Sequence, residues 1–103
     1  MARFTVYHAK NPTFGFPGAP APTWPQDFAC VARVEADDLE ATYRLTNSIQ
    51  GYWGDHRGVQ TMGGPHRSTS VGDVVVAPDG TTWQCATAGW ERVGGDGQKG
   101  VRQ

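Results

Sequence analysis

Residues 71–86, VGDVVVAPDGTTWQCA, carry the strongest local structural signal in this chain of 103 residues. Two runs rich in β-branched residues flank the tripeptide Pro-Asp-Gly at 78–80. Pro-Asp-Gly between such runs is typical of a tight turn that joins two antiparallel strands. The pattern therefore predicts a hairpin with strands at 72–77 and 81–87.

Three further segments show the alternation of apolar and polar residues that is typical of a strand. Residues 3–8, RFTVYH, place Phe4 and Val6 on one face. Residues 27–34, DFACVARV, are predicted to form the next strand. Its predicted apolar face holds Phe28, Cys30, Ala32 and Val34. A short last strand is predicted at 89–93, GWERV.

A helix is predicted at residues 37–49, DDLEATYRLTNSI. Its apolar residues fall within one half of a helical wheel, and Asp37 and Asp38 stand in the first turn, where carboxylates favour the helix dipole. One amphipathic helix and one half-apolar sheet can bury their apolar sides against each other. The predicted fold class is therefore α+β, with one mostly antiparallel β-sheet, a single amphipathic helix packed on it, and two long Gly/Pro-rich loops.

The two predicted loops span residues 11–25 and 51–66. The first is rich in proline, which excludes a helix and a central strand, and the second is rich in glycine without periodicity. Both contain aromatic residues, which leaves two alternatives open: the rings fold back as lids over a small core, or they contact a partner. We predict one globular domain over residues 1–93 and a flexible tail over residues 94–103.

The composition disfavours two classes of function. Lysine and arginine total 9 against 10 aspartates and glutamates, for a formal net charge of -1. Affinity for a phosphate backbone grows with the number of basic side chains engaged, so nucleic acid is a disfavoured partner. No run approaches the roughly 20 apolar residues of a membrane span, and the first residues lack the apolar core of a signal peptide. We expect no membrane association and a cytoplasmic location.

Residue types that bind metals are few and scattered in the chain. The histidines and cysteines fall into none of the spacings of common metal motifs, so we expect no metal and no cofactor. Cys30 and Cys85 are predicted to be buried, reduced and unreactive. The reason is that a thiol on an apolar strand face behaves as a small hydrophobic group.

Four residues at the entry to the hairpin are interpreted as a structural motif: Ser68, Ser70, Gly72 and Asp73. An aspartate at such a tight entry commonly accepts a backbone hydrogen bond. Leaving buried donors without their acceptor costs about 1 to 2 kcal/mol, and this is the effect expected of Asp73→Ala.

The part of the chain between residues 27 and 93 resembles the YodL-like small proteins and related short proteins of plasmids, conjugative elements and phages. The resemblance is carried by the helix LEATYRLTN at 39–47, the segment RSTSVGDVV at 67–75 and the end GWERV at 89–93. It implies an accessory protein of a mobile element, and it transfers no catalytic residue.

Two classes of function remain after these exclusions. We predict a small non-enzymatic protein-protein interaction module that binds or inhibits a host protein, because aromatic residues in long loops are typical of interface hot spots. The alternative is a small nucleic-acid or nucleotide-binding protein. The chain is expected to be a monomer or a weak dimer. The predicted contact residues are Trp24, Tyr52, Trp53, Arg57, His66 and Arg67.

Overall fold

The computed structural model describes residues 2–11, 22–47, 53 and 58–93. These residues form one antiparallel sheet of six strands and one helix. In chain order the elements are β1 (Ala2–Ala9), β2 (Phe28–Ala36), α1 (Leu39–Thr46), β3 (Val59–Thr61), β4 (Val74–Val76), β5 (Thr82–Cys85) and β6 (Trp90–Arg92). The predicted α+β fold class is confirmed. Most of the loop 11–25, much of the loop 51–66 and the tail 94–103 lie outside the described residues.

The strand order is β3-β2-β1-β4-β5-β6, so β1 lies inside the sheet between β2 and β4. Phe4 and Val6 of β1 are buried on one face, as the alternation predicts. The hairpin of β4 and β5 is also confirmed. Its turn is closed by a hydrogen bond from Ala77 N to Thr81 O at 2.8 Å. Gly80 has a φ of +89°, a left-handed conformation that glycine adopts without steric cost.

The pairing of β1 with β2 contains a β-bulge that changes which residues of β2 share a face. Val6 pairs with Ala32 but Tyr7 pairs with Cys30, so Val31 is the extra residue. The alternation of β2 therefore shifts by one residue at the bulge, so Phe28 and Cys30 lie on the opposite face from Ala32 and Val34. The predicted single apolar face of β2 is wrong for this reason, since Phe28 belongs to a different apolar cluster from Ala32.

The larger apolar cluster lies between the sheet and α1. It contains the inward side chains of β1, the second half of β2 and β4, together with Trp53, and Leu39 and Leu45 of the helix pack against it. The helix is capped by Asp38, whose side chain accepts a hydrogen bond from Ala41 N at 2.8 Å. We call the other side of the sheet the open face, because no described helical residue packs against it.

The open face carries a second, smaller apolar cluster of Ala9, Phe28 and Val74, with Tyr7 and Trp24 packed against it. The bulge produces this cluster, because it turns Phe28 away from the helix.

Strand β3 was not predicted, since its residues fall within the predicted loop 51–66. It is only three residues long, and the glycine-rich sequence around it has no alternating pattern. Its hydrogen bonds come from pairing with β2, with Arg33 opposite Gln60. Local sequence carries no signal for a strand that depends on a partner distant in the chain.

No helix in the described residues is long and apolar enough to cross a lipid bilayer.

Candidate functional site

The carboxylate of Asp73 lies at the centre of a buried polar cluster between the end of β1 and the start of β4. Its side chain is 1% exposed. Oδ1 accepts a hydrogen bond from Ala9 N at 3.0 Å, and Oδ2 accepts one from Ser70 N at 2.8 Å. These are backbone hydrogen bonds of the kind predicted for Asp73, and one of them reaches across to β1.

Arg67 binds the same carboxylate through both of its terminal nitrogens. Nη1 donates to Oδ2 of Asp73 at 2.7 Å and Nη2 donates to Oδ1 at 2.8 Å. The guanidinium also donates to the carbonyl oxygens of Ser68 and Ala9, at 3.0 and 3.3 Å. Such a bidentate ion pair fixes both the distance and the orientation of the two side chains. Because both side chains also bind the backbone of Ala9, they connect the segment before β4 to the end of β1.

His8 and Thr69 complete what we call the Asp73 cluster, which comprises His8, Arg67, Thr69, Ser70 and Asp73. The His8 Nε2 and Thr69 Oγ1 atoms are hydrogen-bonded at 3.0 Å, and the same nitrogen lies 3.9 Å from Oδ2 of Asp73. Burial lowers the pKa of His8 from 6.5 to about 4. The charge of Asp73 opposes this lowering, whereas Arg67 and His66 add to it. His8 is therefore a neutral imidazole near pH 7.

Thr69 also connects the cluster to the end of α1. Its backbone N donates to Thr46 O at 2.9 Å, and its carbonyl oxygen accepts from the Asn47 side chain. Thr46 and Thr69 are both fully buried. The strand β1, the segment 67–73 and the helix are thus joined through one set of buried hydrogen bonds.

The chemistry available to the Asp73 cluster follows from its burial. Thr69, Asp73 and His8 are 0%, 1% and 5% exposed, so a substrate has no direct access to these side chains. A nucleophile or general base must come within hydrogen-bond distance of a reacting group. The arrangement therefore favours a structural role, in which the cluster determines the path of the loop before β4.

Trp53 lies in the main core, at 2% exposure, and its indole nitrogen donates to Arg67 O at 3.0 Å. Its ring stacks with His66, with centroids 6.5 Å apart and planes at 25°. The expectation that Trp53 is an exposed contact residue is corrected by this burial. Of the two alternatives left open for the loop rings, Trp53 follows the one in which the ring covers the core.

His66 and Arg67 both take part in contacts within the chain. His66 Nε2 donates to Met62 O at 2.7 Å, and its side chain is partly buried. The Arg67 side chain is 30% exposed. Tyr52 and Arg57, the other predicted contact residues of this loop, lie outside the described residues.

Trp24 forms a group of rings on the open face with two residues that sequence reasoning did not select. Its ring lies edge-on to Tyr7, with centroids 4.9 Å apart at 87°, and to Phe28, at 5.3 Å and 65°. We call Tyr7, Trp24 and Phe28 the aromatic patch. Trp24 and Tyr7 are partly exposed, whereas Phe28 is buried. Only the bulge brings Phe28 to this face, which explains why the sequence pattern did not indicate it.

The backbone on either side of Trp24 forms a short hydrogen-bonded turn. Asp27 N donates to Thr23 O at 2.9 Å, and the Asp27 side chain accepts from Thr23 N at 2.8 Å. Lys10 N donates to Asp27 O at 2.8 Å, which links the turn to the residue that follows β1. The ring is therefore presented by a hydrogen-bonded segment of backbone.

The two cysteines are free thiols in different environments. Cys85 is buried, and burial raises the pKa of its thiol. Cys30 is partly exposed, so the prediction that it is buried is wrong. The bulge is again the reason, because it turns Cys30 to the open face.

The described residues contain no group of three or more histidine, cysteine or acidic side chains arranged to hold a metal ion.

Comparisons of the chain with protein-family models, with curated proteins and with solved structures return no match. The resemblance to YodL-like proteins therefore stays a hypothesis that rests on the sequence motif alone.

Proposed function

We propose that this chain is a small non-enzymatic protein-interaction module whose aromatic patch contacts a protein partner. The observation that carries the proposal is the position of Trp24 on the open face. Its partly exposed ring lies edge-on to Tyr7 at 4.9 Å, on the side of the sheet where no described helical residue packs.

The patch has the properties of an interface hot spot. Tryptophan and tyrosine are enriched at hot spots because they bury a large area at a small cost in conformational entropy. The backbone that carries Trp24 is held by the hydrogen bonds of the turn at 23–27, so little backbone freedom remains to be lost on binding. An apolar side chain of the partner that packs on Trp24 and Tyr7 would extend the apolar cluster that contains Phe28.

The Asp73 cluster supports a role without catalysis. Its histidine, hydroxyl and carboxylate are buried and are bonded to one another or to the backbone. An enzyme needs such groups to converge at an accessible position. In this chain they stabilise the scaffold that presents the patch.

A nucleic acid is the second candidate, and one observation favours it. By strand register, Arg3 and Arg33 share the open face with Tyr7, and a strand surface with rings and basic side chains can stack bases. Arg3, however, forms an ion pair with Glu35 at 3.5 Å, and the chain has a net charge of -1. These charges favour a protein partner.

The cellular role that we propose is that of an accessory protein of a phage or plasmid that binds or inhibits a host protein. This part of the proposal rests on the resemblance of residues 67–75 to YodL-like proteins.

The proposal is tested by capture from a lysate with the tagged full chain, with and without nuclease. Trp24→Ala is the test variant, and Trp83→Ala is the matched control, because Trp83 is a partly exposed ring on the helix side of the sheet. We expect the parent to capture a protein whether or not nuclease is added. Trp24→Ala should lose this protein and Trp83→Ala should retain it. Thermal melts should show that all three chains are folded. Capture that is abolished by nuclease would assign a nucleic-acid partner. Equal capture by both variants would refute the role of the patch.

A further inference from the structure

Strands β3 and β6 are the two edges of the sheet, and they differ in how well they tolerate a second strand. In the part of the chain that the structure describes, no strand lies outside either of them. Each is three residues long, with the sequence Val-Gln-Thr in β3 and Trp-Glu-Arg in β6. An edge strand presents free backbone donors and acceptors, and charged residues are a common means of protecting it from pairing.

The hydrogen bonds of β3 show which of its backbone groups point outward. Gly58 O accepts from Glu35 N, and Met62 N donates to Val31 O, both at 2.8 Å. Positions 58 and 62 therefore face β2, and so does position 60 by alternation. The backbone groups of Val59 and Thr61 point to the outer side of the sheet.

We propose that β3 pairs with β3 of a second copy of this chain, so that the two sheets form one continuous antiparallel sheet. A two-fold axis perpendicular to the sheet passes next to Gln60. Val59 of one copy then lies opposite Thr61 of the other, and these residues exchange both of their outward backbone hydrogen bonds. The inference goes beyond the proposed function and does not rest on it.

The side chains at this interface are compatible with self-pairing. Val59 and Thr61 are β-branched residues, which favour strands and pack well as cross-strand pairs. Gln60 meets its own copy at the axis as a pair without backbone hydrogen bonds, where the Cβ atoms lie about 5 Å apart. Two amides at that separation can hydrogen-bond to each other. β3 contains no charged residue and no proline.

Strand β6, the other edge, presents its outward backbone groups in the same pattern, but its central residue is charged. Ala86 N donates to Gly89 O and Val93 N donates to Thr82 O, so Trp90 and Arg92 carry the outward backbone groups of β6. Symmetric pairing of β6 would place Glu91 against its own copy. Like charges directly opposite each other are destabilising, so β6 is protected where β3 is not.

The experiment is sedimentation of the full chain over a concentration series, with Gln60→Glu as the test variant and Gln26→Glu as the matched control, because Gln26→Glu makes the same change at an exposed position outside β3. The parent is expected to form dimers at the upper concentrations. Gln60→Glu should raise the dimer dissociation constant by about tenfold or more, because it puts two carboxylates at the axis. Gln26→Glu should leave the constant unchanged. Equimolar Gln60→Glu and Gln60→Lys chains should associate again as a heterodimer, since opposite charges then meet at the axis.

A second measurement reports on weak association. In a Cys30→Ser background, Gln60→Cys should oxidise to a covalent dimer, because the Cα atoms of such a pair lie about 4.5 Å apart, which suits a disulfide, whereas Gln26→Cys should not. A parent chain that is monomeric throughout, together with no covalent dimer from Gln60→Cys, overturns the proposal. An effect of Gln26→Glu as large as that of Gln60→Glu would also overturn it, because association would then not depend on β3.

Discussion

Arg67 holds the carboxylate of Asp73 with both terminal nitrogens, at 2.7 and 2.8 Å, although six positions separate the two residues in the chain. The carboxylate is 1% exposed and the Arg67 side chain 30% exposed. The pair therefore has a buried acidic end and a partly solvated basic end. The same carboxylate binds Ala9 N and Ser70 N, so one side chain joins β1 to the entry of β4.

Asp73→Ala is expected to lower the free energy of unfolding by about 3 kcal/mol, measured by urea denaturation. This exceeds the 1 to 2 kcal/mol expected from the sequence, because the variant strands a guanidinium as well as two backbone donors. Asp79→Ala is the control, since Asp79 is exposed and its side chain accepts hydrogen bonds from Thr81 in the β4 to β5 turn. Equal unfolding midpoints for the two variants would contradict a structural role for the Asp73 cluster.

His8 is expected to make stability depend on pH. Its pKa is about 4 in the folded chain against 6.5 for an unperturbed histidine. Between these values the unfolded chain binds a proton that the folded chain does not, so stability falls as the pH decreases from 6.5 to 4. The loss attributable to His8 is about 3 kcal/mol over this window.

The measurement for His8 is the free energy of unfolding at several pH values in the parent and in His8→Gln. The glutamine amide keeps a polar group near Thr69 and does not titrate. The parent should therefore lose more stability than the variant between pH 6.5 and 4. If the free energy of unfolding changed with pH in the same way in both chains, His8 would not be the cause of the pH dependence.

Trp53→Ala is expected to cost about 3 to 5 kcal/mol, because it removes a large ring from the main core. Trp53→Phe should cost less, since an aromatic ring is kept in the core although the hydrogen bond to Arg67 O is lost. Thermal melts of both variants test this order. If Trp53→Ala melted like the parent, the assignment of Trp53 to the core would be wrong.

The two thiols are expected to react at different rates with a thiol reagent under native conditions. Cys30 is partly exposed and should react first. Cys85 should react slowly, because it is buried and burial raises the pKa of its thiol, so little thiolate is present. Cys30→Ser should remove the fast phase and leave the slow one. If both thiols of the parent reacted in a single kinetic phase, the predicted difference in rate would be contradicted.

The sequence by itself determined the elements whose signals are local. The alternation in β1, the Pro-Asp-Gly turn between β4 and β5, and the amphipathic pattern of α1 all depend on residues within one segment. Asp73 was also identified as a hydrogen-bond acceptor at a strand entry. These features suffice for the fold class, because one helix and one half-apolar sheet have few ways to bury their apolar sides.

The tertiary structure decided the features that depend on distant partners. The bulge at Val31 arises from the register of β2 against β1, and it sends Phe28 and Cys30 to the open face. β3 exists only as a partner of β2, and the contacts of His8 with Thr69 and Asp73 join residues more than sixty positions apart. A shift of one residue in strand pairing exchanges the two faces of a sheet without changing the sequence pattern. For this physical reason the aromatic patch could not be derived from the order of the residues alone.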